Sequence, residues 1–187
     1  YGKILLPTAL AAALLSLTAC GSGDSNNAST IASITNESSA VSTVNGEVPY
    51  TFFDDAVFVG DSVSLKLNLY VSAQRKNDNA FMGTAQFLTP GSYGTGNELK
   101  ELGSDNSVHP SYNGTEMYLA DAIEAMGAKK VFIMLGMNDI AVYGNDGAVK
   151  NMETVLAQIK EKNPDTTIYV QSMTPIVGTA QTGSLTN

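Results

Sequence analysis

The sequence has very few of the residues that build disulfides and zinc sites. Among 187 residues it contains one cysteine, Cys20, and one histidine, His109. A single cysteine cannot form an intramolecular disulfide, and one cysteine with one histidine cannot supply a zinc site of those residue types. We therefore exclude a disulfide-stapled fold and a His/Cys zinc enzyme, and we expect no metal and no cofactor.

Positive charge is scarce as well. Lysine and arginine total 10 against 18 aspartates and glutamates, which gives a net charge of −8. Such a chain is repelled by a phosphate backbone, so we expect no nucleic-acid partner. The glycine-rich stretch 91–96 (GSYGTG) is not followed by Lys-Ser or Lys-Thr. It therefore lacks the pattern of a phosphate-binding loop.

The N-terminal residues form an apolar run that follows Lys3. Residues 4–19 (ILLPTALAAALLSLTA) are too few for a comfortable membrane-spanning helix and are typical of a secretory signal peptide. Residues 17–20 (LTAC) resemble the bacterial lipobox, in which cleavage leaves a lipidated cysteine first. We predict a signal peptide over 1–19 and lipid attachment at Cys20. The alternative is a plain signal peptide with an incidental cysteine.

The following segment is poor in apolar residues. Residues 21–49 consist mainly of Ser, Asn, Thr and Gly, and they offer too little apolar surface to offset the entropy of ordering the chain. We predict a flexible tether over 20–49 and a folded domain over 50–187. The protein is then expected to be exported and held at the cell membrane, facing outside the cytoplasm, through its lipid alone.

Three short apolar runs in the folded part predict buried parallel strands: 56–60 (AVFVG), 131–135 (VFIML) and 167–171 (TIYVQ). Between the last two, apolar residues recur at helical spacing from Val149 to Ile159, and Asn163-Pro164 ends the helix. A strand, a helix and a strand with tight connections make a βαβ unit. The fold class is therefore α/β, with helices on the faces of a parallel sheet.

Other segments are less regular. Residues 63–71 alternate apolar and polar like a strand, but a parallel strand ending at Gly60 needs a long crossover, so we predict a helix there. A second helix is predicted over 115–127. Between them, residues 80–113 are predicted to hold a strand at 85–88 and then a long loop.

Two short polar motifs follow predicted strands. Gly60-Asp61-Ser62 comes after the first strand, and Gly136-Met137-Asn138-Asp139 comes directly after VFIML. Open α/β folds place their ligands at the carboxyl edge of the sheet, where both motifs would lie. A helix that begins at Ser62 would favour the negative charge that develops when an ester carbonyl is attacked.

These motifs resemble the SGNH/GDSL hydrolase family, which carries a Gly-Asp-Ser block after its first strand and a Gly-x-Asn-Asp block after its third. The resemblance covers about residues 54–175. It implies a flavodoxin-like, three-layer α/β/α fold and ester hydrolysis through an acyl-enzyme. Ser62 would be the nucleophile and one oxyanion donor, and the Asn138 amide a second. A glycine would be the third, either Gly91, our choice, or Gly83.

The sequence departs from the family pattern in one respect. The family's Asp-x-x-His block, its fifth strand and its final helix are absent from these residues, so we expect a domain incomplete at the C-terminus and inactive by itself. His109 is either a substitute base or a structural histidine. By the same resemblance, Asp61 and Asp139 are expected to hold loop backbone rather than to carry protons.

Two functions follow as expectations. One is a lipid-anchored serine esterase acting outside the cytoplasm on acyl or acetyl esters, of a small molecule, a polysaccharide or another cell-surface substrate. The alternative is a non-catalytic, surface-binding lipoprotein that keeps the fold and has lost the catalytic triad.

Overall fold

A computed structural model describes residues 47–180. The predicted signal peptide, the lipid-attachment residue Cys20 and nearly all of the predicted tether lie outside the described residues. The strands are β1 (Ala56–Gly60), β2 (Gln86–Leu88), β3 (Ser111–Tyr112), β4 (Thr115–Glu116), β5 (Lys130–Met134) and β6 (Thr167–Val170). The helices are α1 (Ser62–Gln74), α2 (Thr95–Glu98), α3 (Leu119–Met126) and α4 (Met137–Lys162), with short 3-10 helices at Tyr50–Phe53 and Gly178–Ala180. None of the helices in this part of the chain combines the length and apolar character needed to cross a membrane.

Four of the strands form one parallel sheet. Their order is β2-β1-β5-β6, and every neighbouring pair runs parallel. The fold is therefore α/β with a parallel sheet flanked by helices, as predicted, and its strand order is compatible with a flavodoxin-like fold. The three predicted strands are present, with ends that differ by at most one residue, but β6 is largely exposed rather than buried.

The main core lies between the sheet and the helices α3 and α4. Alternate strand residues such as Val57 and Ile133 are completely buried there against Ile123 and Ile159. On the opposite face, the side chains in register across the sheet are aromatic. Their rings stack in a row, with centroids 4.6 to 5.4 Å apart: Phe87, Phe58, Phe132 and Tyr169. Both faces therefore bury apolar residues of β1, whereas Tyr169 in the edge strand β6 is 36% exposed.

The segment after Ser62 is the helix α1, as predicted. Its alternating leucines do not mark the two faces of a strand. Leu67 is 37% exposed and Leu69 is 62% exposed, whereas Val71 is fully buried. The alternation misleads because several apolar residues of this helix lie outside its core-facing side.

Two predictions about the central region are corrected. The helix predicted over 115–127 begins only at Leu119, because β3 and β4 form a small antiparallel hairpin. The turn of this hairpin is Asn113-Gly114, with φ of +50° and +80°. Positive φ at both residues is typical of a two-residue hairpin turn. The loop predicted after 88 also contains the four-residue helix α2.

The last predicted helix is longer than its apolar spacing indicated. The pattern marked only 149–159, but α4 begins at Met137 and continues to Lys162. Gly144 interrupts the helical backbone with φ +67° and ψ −179°, which divides α4 into two parts. The Gly-Met-Asn-Asp motif therefore forms the N-terminus of a helix.

Candidate active site

The Gly-Asp-Ser motif joins β1 to α1 at the carboxyl edge of the sheet. Asp61 caps the helix, because its Oδ1 accepts a hydrogen bond from the Val63 N–H at 2.8 Å. Ser62 is the first residue of α1, and it is exposed. A Cβ at Gly60 would lie 2.0 Å from Ser64 Oγ and 3.0 Å from the Met134 carbonyl oxygen, so only glycine fits where the two strands and α1 meet.

The Gly-Met-Asn-Asp motif lies at the same edge, after the neighbouring strand β5. The Asn138 side chain is exposed, and its Nδ2 donates a hydrogen bond to the Tyr93 carbonyl oxygen at 2.8 Å. The same Nδ2 lies 3.5 Å from Asp61 Oδ2. The structure therefore brings the Asn138 amide into contact with the residue next to Ser62.

Asp139 holds the loop that follows β2. Its carboxylate is 1% exposed and accepts hydrogen bonds from the Thr95 N–H at 3.0 Å and the Gly96 N–H at 2.7 Å. A Cβ at Gly94 would lie 2.9 Å from both carboxylate oxygens, so glycine is needed for this close approach. The predicted backbone-holding roles of Asp61 and Asp139 are both confirmed.

The two glycines proposed as the third oxyanion donor lie at different edges of the sheet. Gly91 follows β2 and precedes Tyr93 by two residues, so it lies at the carboxyl edge with Ser62 and Asn138. Gly83 precedes β2, and a Cβ there would meet Asp54 and the Tyr50 carbonyl, which precede β1. Of the two candidates, only Gly91 lies at the edge where the motifs meet.

His109 lies in a buried polar cluster. Its side chain is completely buried, with Nδ1 3.3 Å from Glu98 Oε2, and its ring lies edge-on to Tyr118. Glu98 Oε2 also accepts the Tyr93 hydroxyl at 2.8 Å, and Oε1 accepts the Leu119 N–H at 2.6 Å. These contacts support the structural interpretation of His109 over that of a substitute base. Within residues 47–180, no cluster of His, Cys, Asp and Glu is arranged to hold a metal.

Sequence reasoning missed Tyr93 and Glu98. The Tyr93 side chain is fully buried and Glu98 is 2% exposed, yet neither belongs to a recognisable motif. Burial, followed by repulsion from Glu98, raises the pKa of Tyr93 well above 10.0, so its hydroxyl stays a donor at neutral pH. The available signal was the glycine-rich stretch 91–96, whose glycines permit backbone to approach α4 closely.

Glu98 gives a testable pH dependence of stability. Burial raises the pKa of Glu98 above its ordinary value of 4.5, against the lowering effects of the Leu119 N–H, the Tyr93 hydroxyl and His109. Its contribution to stability is therefore full below pH 4.5 and is lost as pH rises through the raised pKa. Relative to Glu98→Gln, the wild type should lose at most about 1.4 kcal/mol of unfolding free energy per pH unit in that window.

Urea unfolding of both proteins between pH 4 and pH 8 (roughly the range that brackets carboxyl titration) measures this difference. Glu101→Gln, which removes an exposed carboxylate, is the matched control and should show no such slope. A wild-type advantage over Glu98→Gln that stays constant or grows with pH would contradict the assignment.

Among residues 47–180, two cavities adjoin the motifs. A very small one of about 10 Å³ lies between Asp61, Met137 and Thr174, where the chain leaves β6. A larger one of about 320 Å³ lies beside Gly136. Its lining is mainly apolar: Leu135, Ile140, Ala148, Val149, Met152 and Met173. The edge of the sheet that carries Ser62 and Asn138 therefore adjoins a space able to take an apolar group.

Parallel strands explain why these residues meet, since β1 and β5 are neighbours and both end at this edge. An exposed hydroxyl at a helix N-terminus and an amide donor beside it can together bind an ester and stabilise an oxyanion. Comparisons of the chain with protein-family models, with curated proteins and with solved structures found no match.

Proposed function

We propose that this chain carries the nucleophile and the oxyanion donors of a serine ester hydrolase of the SGNH/GDSL type. The observation that carries the proposal is the contact between the two motifs. Asn138 Nδ2 lies 3.5 Å from the carboxylate of Asp61, and Ser62 follows at the exposed start of α1. This geometry supports a shared site at one sheet edge, as an acyl-transfer mechanism requires.

In the proposed reaction, Ser62 Oγ attacks the ester carbonyl carbon and its proton passes to a general base. The negative charge on the carbonyl oxygen is stabilised by the Ser62 N–H, the Asn138 amide and the Gly91 N–H. The bond to the alcohol oxygen then breaks, and the base returns the proton to the leaving alcohol. Water hydrolyses the resulting acyl-enzyme by the same steps.

No residue among these 187 is proposed as the general base. The sequence has one histidine, and the side chain of His109 is completely buried beside Glu98. An un-ionised serine hydroxyl is a weak nucleophile, so residues 1–187 alone are expected to be nearly inactive.

The finer features of the proposal come from the resemblance. They are a three-layer flavodoxin-like fold, export with a lipid anchor at Cys20, and a substrate that is an acyl or acetyl ester of a small molecule or a polysaccharide at the cell surface. The apolar cavity of about 320 Å³ beside Gly136 adjoins the same sheet edge, but neither Ser62 nor Asn138 lines it.

Fluorophosphonate labelling of the protein expressed from its complete gene tests the proposal. The probe forms a bond between serine Oγ and phosphorus and releases fluoride, and it reacts only with activated serines. We expect stoichiometric labelling, and peptide mass spectrometry should place the label on Ser62.

Heat-unfolded protein is the control for adventitious reaction and should remain unlabelled. A label on another residue would contradict the assignment of Ser62. Complete absence of labelling would contradict the hydrolase and favour a surface-binding lipoprotein without catalysis.

A further inference from the structure

The Asn138 amide makes two unequal contacts. Its hydrogen bond to the Tyr93 carbonyl oxygen, at 2.8 Å, has the length of a normal hydrogen bond, whereas its contact with Asp61 Oδ2, at 3.5 Å, is at the limit of one. A side-chain amide has two N–H donors. One N–H is thus held firmly by Tyr93, and the second is weakly engaged and remains available to another acceptor.

Tyr93 is itself held in place through its buried side chain. Its ring is fully buried, and its hydroxyl donates to Glu98 Oε2 at 2.8 Å. Glu98 is also buried, and its other oxygen accepts the N–H of Leu119, the first residue of α3, at 2.6 Å. The carbonyl that holds Asn138 therefore belongs to a residue anchored through Glu98 to a core helix.

The segment after Tyr93 is anchored to the same helix N-terminus as Asn138. Asp139, the next residue of α4, accepts the N–H groups of Thr95 and Gly96. The hydrogen bonds from Asn138 and Asp139 thus join residues 93–96 to α4 at two adjacent points. Tyr93 and α4 cannot move independently while both are made.

We infer that Tyr93 and Glu98 are positioning residues that orient the Asn138 amide as an oxyanion donor. The Tyr93 carbonyl fixes one N–H of the amide, which sets the amide plane and leaves the second N–H toward Asp61, the residue that precedes Ser62. Glu98 fixes Tyr93 through its hydroxyl. This inference rests on the proposed function, and it adds two buried residues that belong to neither motif.

A double-mutant cycle between Tyr93→Phe and Asn138→Ala tests this role by labelling kinetics. Tyr93→Phe removes only the hydroxyl that reaches Glu98 and should slow fluorophosphonate labelling about tenfold, less than the roughly 10²–10³-fold expected for Asn138→Ala. In the Asn138→Ala background, Tyr93→Phe should change the rate by less than about twofold. Tyr70→Phe removes an exposed hydroxyl and is the matched control.

Side-chain amide NMR provides a readout that does not need activity. In the wild type, the two Nδ2 protons of Asn138 should differ in solvent exchange, because one is held by the Tyr93 carbonyl; Tyr93→Phe should reduce that difference while Tyr70→Phe leaves it unchanged. Equal slowing by Tyr93→Phe in both backgrounds, or no slowing in either, would overturn the positioning role. If the wild type is not labelled at all, the proposed function fails. The amide exchange then decides whether the Tyr93–Asn138 coupling exists. An exchange pattern that Tyr93→Phe leaves unchanged would overturn the coupling too.

Discussion

Ser62→Ala is expected to abolish fluorophosphonate labelling and ester hydrolysis while leaving the fold intact. Loss of the nucleophile of a serine hydrolase lowers the rate by about 10⁶-fold. The hydroxyl is not needed to begin the helix, because Asp61 already caps α1 through the Val63 N–H at 2.8 Å. Ser62 is also exposed, so its free energy of unfolding should change by no more than about 0.5 kcal/mol.

The control for Ser62→Ala should also remove a serine hydroxyl from α1. Ser72→Ala removes an exposed hydroxyl from the same helix, and the resulting protein should be labelled at the wild-type rate. Labelling and urea unfolding of the wild type, Ser62→Ala and Ser72→Ala distinguish a catalytic role of the Ser62 hydroxyl from a structural one. Retained labelling in Ser62→Ala would show that the nucleophile lies elsewhere, and a large loss of stability would show that the hydroxyl is structural.

The apolar strands were predictable because burial on both faces of a parallel sheet leaves a continuous apolar run. Val57 and Phe58 are buried on opposite faces, and Val131 and Phe132 repeat the arrangement in the neighbouring strand. The helix after Ser62 was predictable only from connectivity, since its own pattern indicates a strand. Here the rule that parallel strands need a crossover outweighed local periodicity.

The short elements could not be found from apolar periodicity, because two or four residues are too few to show a period. The Asn113-Gly114 turn is the one local signal for the hairpin β3–β4. The first part of α4 was missed for a related reason. It contains Asn, Asp and Gly, which are poor helix formers, and it lies against α2 rather than presenting a continuous apolar stripe.

The positions of Ser62 and Asn138 in the candidate site were predictable, because the connectivity of the strands alone determines them. Ser62 and Asn138 each follow a strand, and neighbouring parallel strands bring their carboxyl ends together. Tyr93 and Glu98 were not predictable, because the Asn138 hydrogen bond to the Tyr93 carbonyl depends on how a loop folds between distant elements. No sequence pattern links a backbone carbonyl to a residue 45 positions away.

Asp139→Ala is expected to cause a large loss of stability. The Asp139 carboxylate is 1% exposed and accepts the N–H groups of Thr95 and Gly96. Each buried donor left without a partner costs about 1–3 kcal/mol, so the free energy of unfolding should fall by about 2–6 kcal/mol. Asp139→Asn keeps one acceptor oxygen, so its free energy of unfolding should lie between those of the wild type and Asp139→Ala. Urea unfolding measures both.

The same substitution should also slow fluorophosphonate labelling, because it frees Thr95 and Gly96 from α4 and so loosens the loop whose Tyr93 carbonyl holds Asn138. Asp146→Ala removes an exposed carboxylate from the same helix and should change neither stability nor labelling appreciably. An Asp139→Ala protein as stable as Asp146→Ala would mean that water replaces the lost carboxylate at both N–H groups. The loop would then be held by the hydrogen bonds of Tyr93 to Asn138 and Glu98 rather than by the Asp139 carboxylate.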